Sequence, residues 1–314
     1  MSTKLFDSSK NNQKPSENQK MTTLWQCLPK SILEDFDQNI SVFKPNEMRS
    51  YLSSNIWFIR GTLGKEISVC KVYNKQLLSP NHQNYYLVSE LNFCNQVMFQ
   101  SLKNDNLIQI LKIISNQKNI MIFMEDYERT ALQLIAERGP QNEELCKTIS
   151  KQILSAIDYL HSRGISHRNI KLENIYLKSN EKTYSSKLAD FSCAITCTEG
   201  TQILLDNTWI GTEEYMSPEI LERKPHNPRK SDIWSFGVSL FLLLHNCFPF
   251  GSGDQIRSDS GRDQMLNNQL LRRYLIPDSI KLSSNCNQMF RFLMTPEFES
   301  RPDSQTALGD SWLN

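Results

Sequence analysis

The spacing of apolar residues turns from a mixed, largely strand-like pattern to a mainly helical one near residue 126 of this 314-residue chain, and that change limits the fold more than any other feature. Before it, Asn55–Leu63 and Glu66–Tyr73 are short runs rich in β-branched and aromatic residues, joined at Gly64-Lys65, which predicts two strands and a turn. Ile110–Ile114 and Asn119–Met124 are again strand-like, while Glu90–Leu102 has helical spacing. After residue 126 the pattern is mainly helical. Glu143–Arg163 places Leu145, Ile149, Ile153, Ile157 and Leu160 on one face and stops at Gly164. Strands first and helices later predict an α+β fold of two lobes, a small β-rich one over 46–125 and a larger helical one over 126–314. Residues 1–45 read as a disordered or loosely docked tail, polar to about residue 22 and with scattered apolar positions around Pro29 beyond it.

Charge and hydropathy exclude several classes of function. Lys+Arg 35 against Asp+Glu 34 leaves no overall basic surplus for nucleic acid, so no nucleic-acid partner is expected. Eight cysteines follow neither a disulfide scaffold nor a zinc spacing. The first 20 residues lack the apolar run of a secretory signal. Trp234–Phe250 is interrupted by Ser235, Gly237, Ser239, His245, Asn246 and Pro249, which suits a buried core helix and not a bilayer span. The expectation is a cytoplasmic protein with nuclear access and no membrane attachment.

The residues that bear chemistry come in a fixed order. His167-Arg-Asn-Ile-Lys-Leu-Glu-Asn174 precedes Asp190-Phe-Ser192, then Gly211-Thr-Glu-Glu-Tyr-Met-Ser-Pro-Glu219, Ser231-Asp-Ile-Trp-Ser-Phe-Gly237 and Arg301-Pro-Asp303. Five motifs in this order resemble the signature set of eukaryotic protein kinases over roughly residues 50–314. Lys171 and Thr212 look like the serine/threonine branch, and the C-terminal half is similar to calmodulin-dependent and testis-specific serine kinases.

The resemblance implies roles residue by residue. Asp190 and Asn174 match the two ligands of Mg, oxygen donors suited to a hard cation. Lys71 matches the third-strand lysine on the phosphates of ATP, and Lys171 the lysine that steadies the transferring phosphoryl. Met124 stands where access behind the adenine is controlled. Glu219 and Arg301 match a buried ion pair, Asp232 the cap of the catalytic loop, and His167, Phe191 and Phe99 members of a hydrophobic column. Arg168 and Thr208 stand where a phosphorylated activation loop would meet an arginine.

Four positions depart from the family pattern. Asn169 replaces the catalytic aspartate, and a carboxamide has no lone pair basic enough to take a hydroxyl proton. The loop over the phosphates should fall at Arg49–Ser54, where no glycine occurs. Counting back from Asn104–Leu107 puts the glutamate partner of Lys71 at Asn95, on a face with Leu91, Met98 and Leu102. Glu90 then lies five residues earlier, about 140° off that face, unless an insertion or bulge brings it back. Ser192 replaces the glycine after Asp190-Phe191. These departures predict a pseudokinase that acts as a regulatory or scaffolding module on other proteins, with ATP and Mg binding weak or absent. The alternative is an active serine/threonine kinase of low or unusual activity, because its transition state depends more on positioning than on a base.

Overall fold

A computed structural model describes residues 43–53, 56–63, 65–75, 87–94, 103–116, 119–180 and 183–314. The chain divides into two compact units, one reaching residue 101 and including 108–127, the other made of 102–107 and 128–314.

The first unit is built on a five-stranded antiparallel sheet in the order β1-β2-β3-β5-β4. Its strands are β1 Phe43–Ser53, β2 Ile56–Leu63, β3 Glu66–Asn74, β4 Ile110–Ser115 and β5 Asn119–Glu125. In β3, Ser68 to Asn74 are buried without alternation, as expected of a central strand covered on both faces. β4, at an edge, alternates more. Arg60 on β2 donates to both carboxylate oxygens of Asp126, 2.8 and 2.6 Å away. Residues 87–94 are helical and bury Leu87, Glu90, Phe93 and Cys94.

β1 corrects the sequence reading in two ways. It begins at Phe43, inside the stretch expected to be tail, and residues 49–53 are paired strand and not open loop. Ser53 pairs with Ile56, and residues 54–55 lie outside the described residues.

The second unit is carried by two long helices. Glu143–Ser162 starts with the Asn142 side chain accepting from Leu145 N at 2.9 Å, has Glu143 and Glu144 in its first turn, and gives way to Gly164 at φ 75°. Ile149, Ile153, Ile157 and Leu160 are buried as the 3.6-residue period predicts, but Leu145 is half-exposed and Cys146 takes the buried place in the first turn.

Pro228–His245 is buried around almost its whole circumference. It starts with Pro228, which has no backbone N–H to leave unsatisfied, and ends at Asn246 in the left-handed region. At Gly237 a Cβ would stand 2.7 Å from Met294 Cγ and 3.0 Å from Leu293 Cβ, so glycine permits the close approach of the helix Ser284–Leu293. No helix among the described residues is long and apolar enough to cross a membrane.

Candidate functional site

Lys71 sits in the middle of β3 and is 1% exposed, so its charge requires a partner. That partner is Glu90: Lys71 Nζ donates to Oε1 at 3.0 Å and Oε2 at 2.8 Å. The Tyr73 hydroxyl, on the same face of β3 two residues on, also donates to Glu90 Oε2. The ammonium lies 5.1 Å from the Tyr73 ring centroid and 5.4 Å from that of Phe58, in reach of cation–π attraction. The expectation that Asn95 occupies the glutamate position is therefore wrong, since Glu90 holds it. Counting backward from a turn assumes a fixed connection length, and surface connections tolerate insertions. Asn95 and Phe99 lie outside the described residues. Met124 is buried on β5 and pairs with Val69 and Ile110.

In the helical unit the segment 166–174 is organised by one buried carboxylate. Asp232 accepts from His167 N at 2.9 Å, Arg168 N at 2.7 Å, the Ser166 hydroxyl at 2.8 Å and His161 Nε2 at 2.9 Å. Burial raises its pKa, but those donors and the His161 and His167 rings outweigh burial and hold it below the ordinary 3.8.

His167 is fully buried, with burial pushing its pKa below 6.5, so the ring is neutral at pH 7. Its Nδ1 accepts from Asn169 N at 3.2 Å, which leaves Nε2 to donate to Ala189 O at 3.1 Å. Phe191 meets the same ring edge-on, at 5.0 Å between centroids. Asn174 Nδ2 donates to Asn169 O at 2.8 Å, and Ala189 N to Asn174 O at 2.9 Å. Residue 169 is thereby fixed by its own N–H and C=O, and residue 174 is tied to the backbone next to Asp190.

Asp190 has φ 66°, a left-handed conformation that Asp tolerates better than most residues. Ser192, by contrast, lies in the 3₁₀ turn Phe191–Cys193 and has no positive φ, so the missing glycine costs nothing in this conformation. Lys171 Nζ donates to Thr212 Oγ1 at 2.9 Å and lies 3.9 Å from Glu173 Oε1.

Arg168, also at positive φ, donates from Nε to Cys193 O at 2.8 Å, and from Nη1 to Asp206 Oδ2 at 2.7 Å and Thr208 Oγ1 at 2.9 Å. Sequence reasoning missed Asp206, although an acidic residue two positions before Thr208 was a readable signal. Glu219 and Arg301 form a bidentate pair, 2.7 and 3.0 Å, and Arg301 also donates to the carbonyls of Thr295, Pro296 and Lys230. Arg301 lies 5.0 Å over the Trp234 ring.

Lys71 and Glu90 thus belong to one unit, and Asn169, Lys171, Asn174 and Asp190 to the other. No cluster of three or more His, Cys, Asp or Glu side chains among the described residues could hold a metal. Asn174 and Asp190 are a two-residue oxygen set, which fits Mg because that ion usually takes one or two protein ligands and completes its shell with waters and phosphate oxygens.

Comparison with known proteins supports the family reading. The profile of the protein kinase domain matches residues 59–313. Testis-specific serine/threonine-protein kinase 3 of Homo sapiens is 27% identical over 281 residues, 85% of this chain and 99% of that protein. CBL-interacting serine/threonine-protein kinase 5 of Arabidopsis thaliana is 30% identical over 198 residues, 63% of this chain and 43% of the relative. Testis-specific serine/threonine-protein kinase 2 of Mus musculus is 31% identical over 184 residues, 58% and 49% respectively. The chain covers less than half the length of these last two relatives.

Proposed function

This chain belongs to the protein kinase domain family, and from that premise we propose that it is a serine/threonine-kinase-like pseudokinase that regulates or scaffolds other proteins. The observation that carries this reading is Asn169. The hydrogen bonds around it hold the backbone of residue 169 in place, yet the side chain offered there is a carboxamide. General-base contributions are typically about 10²–10⁴-fold, so the rate loss expected from this change alone is large.

Nucleotide binding fares better in this reading than the sequence implied. ATP and Mg are the usual ligands of the family, and Lys71, Asn174 and Asp190 would hold them, with Met124 beside the adenine. The Lys71–Glu90 pair favours retention, because a paired ammonium is already fixed before any phosphate arrives. When bound, Mg would neutralise phosphate charge. Asn174 and Asp190 would orient it, and Asn169 would orient a hydroxyl without taking its proton. Partner proteins are proposed on the same footing, with none identified.

A second reading, an active kinase of low rate, is favoured by the same Lys71–Glu90 pair together with Lys171. Phosphate transfer from labelled Mg-ATP to the chain itself and to mixed protein substrates separates the two. Wild type, Asn169→Asp and Asp190→Ala are compared, with the melting temperature of each read with and without Mg-ATP. The pseudokinase reading expects no transfer from wild type, and a melting shift that Asp190→Ala reduces. Transfer by wild type that vanishes in Asp190→Ala would establish the second reading.

A further inference from the structure

The segment that runs from Cys193 to His226 passes over Arg168 at a point where the family resemblance suggests a phosphate, and the structure has a carboxylate there. Arg168 and Asp206 form a buried ion pair, with side chains 3% and 7% exposed. The same carboxylate accepts from Thr208 N at 3.0 Å and from the Thr208 hydroxyl, with Oγ1 2.7 and 2.8 Å from its two oxygens. Asp206 N and O also exchange hydrogen bonds with His226 O and N, both at 2.8 Å. Through Arg168 Nε the latch reaches Cys193 O as well. One residue therefore ties the middle of the segment to the catalytic loop at Arg168 and to the stretch that leads into Pro228–His245.

One carboxylate already faces the guanidinium at this point. Burial raises the pKa of Asp206, but hydrogen bonds from Arg168 and Thr208 and the guanidinium charge outweigh it, so the group is ionised at pH 7. A carboxylate and a guanidinium cancel. A phosphate on Thr208 would remove the hydroxyl proton that Asp206 now accepts and set about two negative charges beside a third. One guanidinium cannot neutralise both, and like charges at hydrogen-bond distance repel. The usual effect of such a phosphate, ordering a loop through an arginine, would be reversed.

We propose that Asp206 is a built-in anion that latches the segment 193–212 onto Arg168 without phosphorylation, and that a phosphate on Thr208 releases the latch. The inference concerns order in the segment and holds whether or not phosphotransfer survives.

Hydrogen exchange of the full chain, read by mass spectrometry over residues 200–210, tests it. Wild type and Asp206→Asn are compared, each with threonine or site-specifically incorporated phosphothreonine at position 208. Asp206→Asn should exchange roughly tenfold faster in this segment than wild type. Phosphothreonine should speed exchange in wild type and slow it in Asp206→Asn, where the phosphate replaces the lost carboxylate on Arg168. A melting temperature lowered by no more than a few degrees separates local opening from general misfolding. If Asp206→Asn does not fold, the phosphorylated wild-type chain decides by the sign of its change. Unchanged or slower exchange in that chain, or unchanged exchange in a folded Asp206→Asn, overturns the proposal.

Discussion

Two buried arginine–carboxylate pairs in the helical unit use the same chemistry to different ends. Arg301 spends its guanidinium on Glu219 and on three carbonyls, and both of its ends are embedded between helices and their connections. Arg168 joins a catalytic loop to a segment whose next residues, Asn207 and Thr208, are exposed. The first pair leaves nothing for a modifying group to reach. The second holds its charge one bond network away from a reactive hydroxyl. Burial of the surrounding chain, and not the strength of the pair, makes one an anchor and the other a latch.

The largest way to sharpen that contrast is Arg301→Ala. It strands the Glu219 carboxylate in a site where burial opposes its charge. Removing one partner of such a pair typically costs about 3–5 kcal/mol, so the melting temperature should fall by roughly 10 °C. A drop no larger than that of Asp206→Asn would break the comparison.

Acid should act next. Asp232, Glu219 and Asp206 all have lowered pKa values in the folded chain, so their contribution is complete above the ordinary 3.8 to 4.5 and is lost as pH falls through the folded values. His167 adds an earlier loss. Its pKa is lowered from 6.5, so below that pH the unfolded chain takes up a proton that the folded one refuses. Melting temperatures recorded from pH 8 to pH 4 should therefore decline from near 6.5 and steepen toward the acid end. A midpoint that does not move between pH 7 and pH 5 would contradict the neutral, buried His167.

Asp206→Asn should lower global stability by about 2 kcal/mol, less than Arg301→Ala, because the carboxamide oxygen can still accept from the buried Arg168 guanidinium. Smallest of all is Thr208→Val, about 1 kcal/mol, since it removes a hydroxyl that donates to Asp206 and accepts from Arg168 but leaves the ion pair in place. Chemical denaturation resolves both against Arg301→Ala, and an effect of Thr208→Val as large as that of Asp206→Asn would mean that the hydroxyl, not the carboxylate, holds the segment.

The strands of the sheet and the two long helices were legible because their signals are local. Val69, Cys70 and Val72 announce β3, and Ile149, Ile153, Ile157 and Leu160 recur at the helical period whatever they pack against. Asp232, Glu219 and Arg301 could be found because their motifs are short and ordered. The helical period placed Leu145 on the face of Ile149 and Ile153 but did not say that Cys146, and not Leu145, is the buried residue of the first turn.

By itself, then, the sequence determined the family, the two-part order of strands and helices, and the carboxamide at position 169. Each of these is a property of neighbouring residues or of motif order. Tertiary structure alone decided that Glu90 pairs with Lys71, 19 residues away, with Tyr73 on the same carboxylate. It also decided that Asp206, 38 residues from Arg168, fills the site where a phosphate was expected. A helical period says which side of a helix a residue occupies. Which partner it meets depends on connection lengths and packing, and no local pattern encodes those.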